Sequence, residues 1–111
     1  MVTDVARGDA PFVVDLEELR HVADQGIVSR VVVENDHHKI VHFTFAAGQE
    51  LSEHTASVPA VIEILGGEGV VRLGDDEHEA RRGVLFYMTA GLRHAIRARG
   101  ELTMLLTMFR T

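Results

Sequence analysis

The chain has 111 residues, 46% of them hydrophobic and 25% charged, which suits one buried core, leaves no room for a second, and is too apolar for disorder. Eleven Lys and Arg against seventeen Asp and Glu give a formal charge of −6, so nothing in the balance attracts phosphate backbones or anionic membranes, and nucleic acid is not an expected partner. There is no cysteine, so disulfides and thiolate ligands are excluded, and a metal would have to be held by His, carboxylate or water.

Residues 1–111 are read as a single domain. No basic start followed by an apolar run opens it, and no stretch approaches the roughly 20 apolar residues of a membrane span, so a cytoplasmic protein without membrane contact is expected. Met1 to Ala10 mixes small and charged residues without period and reads as a loose or edge-tethered arm. Asp15-Leu16-Glu17-Glu18 can open a short helix, with Leu16, Leu19 and Ala23 near one face and Gly26 as its stop.

From Gly26 onward the pattern is that of strands. Ile27, Val28, Val31, Val32 and Val33 form a β-branched run that closes at the turn-like Asn35-Asp36-His37-His38. Its hairpin partner is Ile40 to Phe45, where Val41, Phe43 and Phe45 alternate with His42 and Thr44. Further short strands are expected at Ala60 to Leu65, Val70 to Leu73, His78 to Arg81, Val84 to Met88, His94 to Ala98 and Met104 to Phe109, separated by glycine-containing breaks. Many short strands at this spacing, with no alternating helices, indicate an antiparallel sandwich or barrel.

Two stretches carry a more specific pattern. Gly48, His54 and Gly67 stand at the spacing G-x5-H-x-H-x3,4-E-x6-G, with Ala56 at the second histidine position and Ala60 or Val61 at the glutamate position. Gly83, Gly91 and His94 stand at the spacing G-x5-P-x-G-x2-H-x3-N, with Thr89 in place of the proline and Ala98 in place of the asparagine. On these residues Gly48 to Ala98 resembles the two motifs of the cupin superfamily, in particular its small single-domain bacterial members. The resemblance implies an all-β, jelly-roll β-barrel of two antiparallel sheets, preceded here by a short helical turn. It also implies a site inside the barrel and a homodimer.

In members with the full motif, three histidines and a glutamate hold a divalent metal; His54 and His94 are the positions that carry over. If position 61 points inward, Glu63 shares its face, and His54, His94 and Glu63 would form a two-histidine, one-carboxylate site for Zn, Mn, Fe or Ni. The alternative leaves Glu63 away from the histidines, and those two as hydrogen-bonded neutral imidazoles or a metal-free acid-base pair. Val61, Leu65, Ile96, Phe43, Phe45 and Met88 are expected to line an apolar cavity suited to a small organic molecule, with Tyr87 entering it if its strand runs in the opposite phase. His21, His37, His38 and His78 read as surface residues, and the face taken by His42 depends on register.

Arg93, Arg97 and Arg99, with Arg81 and Arg82 nearby, read as a solvated rim. The functional expectation is a small-molecule-binding cupin of unassigned substrate, with or without a metal on His54 and His94; the alternative is a metal-free sensory or carrier module without catalysis. No organic cofactor is indicated, and the residues name no reaction.

Overall fold

Strand formation follows the apolar alternation. In the computed structural model, which describes residues 5–110, the strands are β1 (Ile27–Glu34), β2 (His38–Phe45), β3 (Glu50–His54), β4 (Ala60–Leu73), β5 (Asp76–Arg81), β6 (Leu85–Met88) and β7 (His94–Phe109). All pairings are antiparallel, in the order β1-β2-β7-β4-β5, with β3 on β7 and β6 on β4.

β4 and β7 run through both sheets of the jelly roll. The first half of β4 and the second half of β7 pair with each other and with β6 and β2, and the remaining halves pair with β5 and β3. Between the halves the register shifts at Ile64/Gly66 and again at Gly67/Gly69. There the ribbon folds over, and only glycine fits. Gly67 has φ +83°, and a Cβ on it would collide with the Glu101 carbonyl, as one on Gly69 would with the Arg97 carbonyl. The glycines expected to end strands at 66–67 and 100 therefore bend two long strands instead.

Phe45, Ile62, Ile64, Val71, Leu102 and Met104, with Ala60, Phe86, Met88 and Ile96, fill the space between the sheets. Burying each large side chain contributes about 1.5–3 kcal/mol relative to its exposure. Val41 and Phe45 point inward and Phe43 packs against the same core, as the alternation of β2 requires.

The expected short helical turn is a 3-10 turn, Leu16–Leu19, which opens with the Asp15 carboxylate accepting from the Glu17 N–H (3.0 Å) and ends at the extended Arg20 rather than at Gly26. Residues 1–4 of the expected arm lie outside the described residues. Beyond them, the Ala6 carbonyl accepts from the Glu34 N–H (2.9 Å) and the Arg7 carbonyl from Asn35 Nδ2 (2.8 Å), which ties the arm to the end of β1. The hairpin turn forms as expected, with Asn35 Oδ1 accepting from the N–H groups of His37 and His38. Among the described residues, no helix is long and apolar enough to cross a membrane.

Candidate functional site

His54 closes β3 and His94 opens β7, and the two are register partners across that pairing. The bulge between Leu51 and His54 lets β3 deliver His54 to the start of β7. The following and preceding connections, residues 55–59 and 89–93, are joined by the Gly91 N–H donating to the Ala56 carbonyl (2.8 Å). The histidines thus sit at one end of the barrel, His94 buried at 5% exposure and His54 open to solvent.

Their ring centroids are 4.2 Å apart, edge to face at 61°. Each ring is held in the same way: Nδ1 of His54 lies 2.8 Å from the Ser52 carbonyl and Nδ1 of His94 lies 3.0 Å from the Leu92 carbonyl. A carbonyl only accepts, so each Nδ1 carries the hydrogen, and Nε2 of each neutral ring is the nitrogen with a free lone pair. Burial pushes the His94 imidazole below its ordinary pKa; the Leu92 carbonyl works against that shift, and the neighbouring His54 adds to it.

Glu63 is not brought to this pair. The inward residues of β4 are Ala60, Ile62 and Ile64, each 1% exposed, so period-two alternation turns Val61, Glu63 and Leu65 to the outer face. Glu63 is exposed there, opposite Leu105 on β7 and Leu85 on β6. The parity expected from position 61 is off by one residue, and the inward occupant at the family's glutamate position is Ala60. The same correction removes Val61 and Leu65 from the expected cavity lining, whereas Ile96, Phe45 and Met88 do face the interior. Tyr87 is exposed, and its neighbours Phe86 and Met88 point inward.

The donor set can be judged on its chemistry. Two imidazoles are present, Ala56 and Ala60 supply no donor, and the described residues contain no group of three or more His, Cys, Asp or Glu able to hold an ion. A durable site takes three or more protein ligands. These residues do not fit a resident metal; at most they fit an exchangeable one completed by water or by a ligand.

The other histidines separate clearly. His37 is exposed beside the β1–β2 turn, His38 Nε2 lies 3.2 Å from Asn35 Nδ2 at that turn, and His21 and His78 are exposed, His78 with its ring 6.1 Å from Phe86. His42 is the residue that the sequence leaves undecided. It is 1% exposed, with Nε2 buried and without a hydrogen-bond partner, on the opposite face of β2 from Val41 and Phe45. Burial first, then the Arg30 charge, lower its pKa, while Glu17 opposes the shift. Of the arginine cluster, Arg93 pairs with Glu53 (3.0 Å) and Asp75 (3.1 Å), Arg97 with Glu77 (3.9 Å) and Arg99 with Glu79 (3.1 Å). Neither of two surface hollows of ≈ 490 and ≈ 510 Å³ is lined by His54 or His94, although the first runs beside them along Ser52, Glu53 and Ala95.

No curated protein matches the chain in sequence. Among solved structures it is similar to a conserved protein of unknown function from Streptococcus pyogenes, with 24% identity over 99% of this chain and 96% of the other at a TM-score of 0.84. A cupin superfamily protein from Desulfitobacterium hafniense gives 22% identity over 100% of both chains, also at 0.84. A protein from Thermus thermophilus gives 22% identity over 89% of this chain and 98% of the other at 0.80. At these identities the likeness shows the fold alone. The family model described as Cupin domain matches residues 41–109, from within β2 to the end of β7, and the chain belongs to that family.

Proposed function

We propose that this cupin domain binds a small organic molecule at the mouth of its barrel, with His54 and His94 as the polar anchor. One observation carries the reading: both rings hand their Nδ1 hydrogen to a backbone carbonyl and keep Nε2 as an acceptor, 4.2 Å apart centroid to centroid. Two adjacent acceptors suit a ligand bearing hydroxyl, phenol or protonated acid groups. The interior behind them is packed with Met88, Ile62 and Met104, so the ligand sits at the opening rather than deep between the sheets. The test is a thermal-shift screen of small hydroxylated and aromatic compounds in the presence of chelator. Compounds that stabilise the protein, and no longer do so in His54→Ala and His94→Ala, support the reading; a screen without such compounds defeats it.

A second reading is favoured by the same tautomers, because a metal-binding histidine characteristically donates its other ring N–H to a carbonyl or carboxylate. In it, His54 and His94 would hold an exchangeable divalent ion such as Zn, Mn, Fe or Ni, which would supply Lewis acidity toward an oxygen-bearing ligand. The reading of the assembly as a homodimer draws support from Leu85 and Tyr87, exposed at 57% and 60% on the outer face that also carries Val61. The composition suits a cytoplasmic protein.

A further inference from the structure

A second cluster of polar groups lies away from the barrel mouth, on the outer face of the sheet that contains β2. His42 and Thr44 are two residues apart on that face, each 1% exposed, and His42 Nε2 and Thr44 Oγ1 are buried without a partner. Thr103, 7% exposed, is the register partner of Thr44 on β7. An outward face of a sheet is buried only if something covers it. The segment that reaches this face is residues 12–20: Arg20 pairs with Glu101 of β7, and the Glu17 charge is felt at His42. Phe12, Val14 and Leu19 border Arg30 to Val32 of β1, and Leu16, Glu17 and Arg20 border Leu65, Glu101 and Thr103 on β4 and β7. β2 lies between β1 and β7, so a segment that lines hollows with both neighbours runs across it.

This strap is weakly held. Its one 3-10 turn contains no buried residue, Val13 is 99% exposed, and its ion pairs, Arg20 to Glu17 (2.9 Å) and Arg20 to Glu101 (3.6 Å), are exposed and therefore weak. Beneath it, two polar atoms are held away from water without a partner while the strap stays closed, which costs free energy that opening recovers.

We propose that the strap is an acid-released cover: protonation of His42 favours a state in which residues 12–20 lift off β2 and water reaches His42, Thr44 and Thr103. The charged groups around His42 set the direction. Arg30 is its register partner on β1 and opposes a second positive charge. Glu17 on the strap favours the charge, but is itself paired with Arg20. Arg20 also engages Glu101 of β7, and Glu63 of β4 lies in the same row as His42 but beyond Leu105. No carboxylate accepts a hydrogen bond from Nε2 in the closed state. The closed strap therefore excludes the proton that the open strap admits. With an open-state pKa near the ordinary 6.5, the opening equilibrium rises up to about tenfold between about pH 7.5 and about pH 5.5.

The cysteine-free sequence gives a direct test. Thr44→Cys places a single thiol under the strap, Val13→Cys an exposed one, and Ala80→Cys one in the barrel core. The labelling rate of Thr44→Cys divided by that of Val13→Cys at each pH cancels the titration of the thiol itself. This ratio is expected to rise several-fold, up to about tenfold, on acidification to about pH 5.5. The rise disappears in a His42→Leu background, or in His42→Gln if the leucine variant does not fold, and Ala80→Cys stays protected throughout. A flat ratio, a rise that persists without His42, or a parallel rise at Ala80→Cys overturns the proposal. So does NMR titration of the unsubstituted protein that places His42 at or above its ordinary pKa.

Discussion

His54 and His94 face one another across the β3–β7 pairing with ring centroids 4.2 Å apart, so a proton on one is felt by the other. Part of what holds the His94 pKa down is the His54 ring. Removing it in His54→Ala should move the His94 titration to higher pH, followed by its ring proton shifts in NMR. An unchanged or lower midpoint would mean that the rings are not coupled.

Stability should fall on acidification as two buried histidines resist protonation. His42 and His94 both have folded pKa values below the ordinary 6.5. Above pH 6.5 both are neutral whether folded or unfolded, and pH has no lever through them. Below it the unfolded chain takes up protons that the folded one resists, so stability is lost progressively until the folded pKa values are reached. Urea midpoints measured across this range should be flat on the alkaline side and decline on the acid side. His42→Leu should reduce the slope.

Glu63 stands on the outer face of β4, exposed opposite Leu105 and Leu85. Glu63→Ala should change stability by no more than about 0.5 kcal/mol and leave ligand or divalent-ion binding at the histidine pair unaltered. If a divalent ion binds, His54→Ala and His94→Ala should each abolish it by titration calorimetry. Loss of binding in Glu63→Ala would restore the carboxylate to the site.

How much of this was legible depends on the strand. In β2 the alternation of Val41, Phe43 and Phe45 against His42 and Thr44 separates two unlike faces, and only the register with β7 fixes which of them turns inward. In β4 the run Ala60-Val61-Ile62-Glu63-Ile64-Leu65 is apolar on both faces, and the family spacing admits two registers, so the wrong parity was available. The one polar residue, Glu63, was the signal for the outer face. β3 carries too few apolar residues in Glu50-Leu51-Ser52-Glu53-His54 to announce a strand; its pairing to β7 makes it one. Burial of His42 was hidden for a different reason: the segment proposed to cover it shows only the Leu16, Leu19 and Ala23 pattern of a short turn, which names no sheet face to pack on. The His54–His94 encounter was legible through the motif spacing, though not the shared Nδ1 tether.

The fold-over of β4 against β7 makes Gly67 a sharper test than the other glycines. Gly67→Ala meets both a positive φ of +83° and the Glu101 carbonyl, whereas Gly48→Ala meets a φ of +82° with open space around it. The latter should cost about 1–2 kcal/mol from conformation alone. The former should exceed it by at least about 2 kcal/mol, or prevent folding, because backbone must shift. Equal losses in chemical denaturation would show that the ribbon does not bend there as described.

The most direct measurement of the central claim is long-range proton–nitrogen NMR of the histidine rings at about pH 7.5, before and after adding a compound that stabilises the protein. His54 and His94 are both expected to carry a hydrogen on Nδ1 toward their carbonyls and to leave Nε2 free, and the compound to shift Nε2 of both rings together. Hydrogen on Nε2 in either ring, or a compound that moves neither, would contradict the claim.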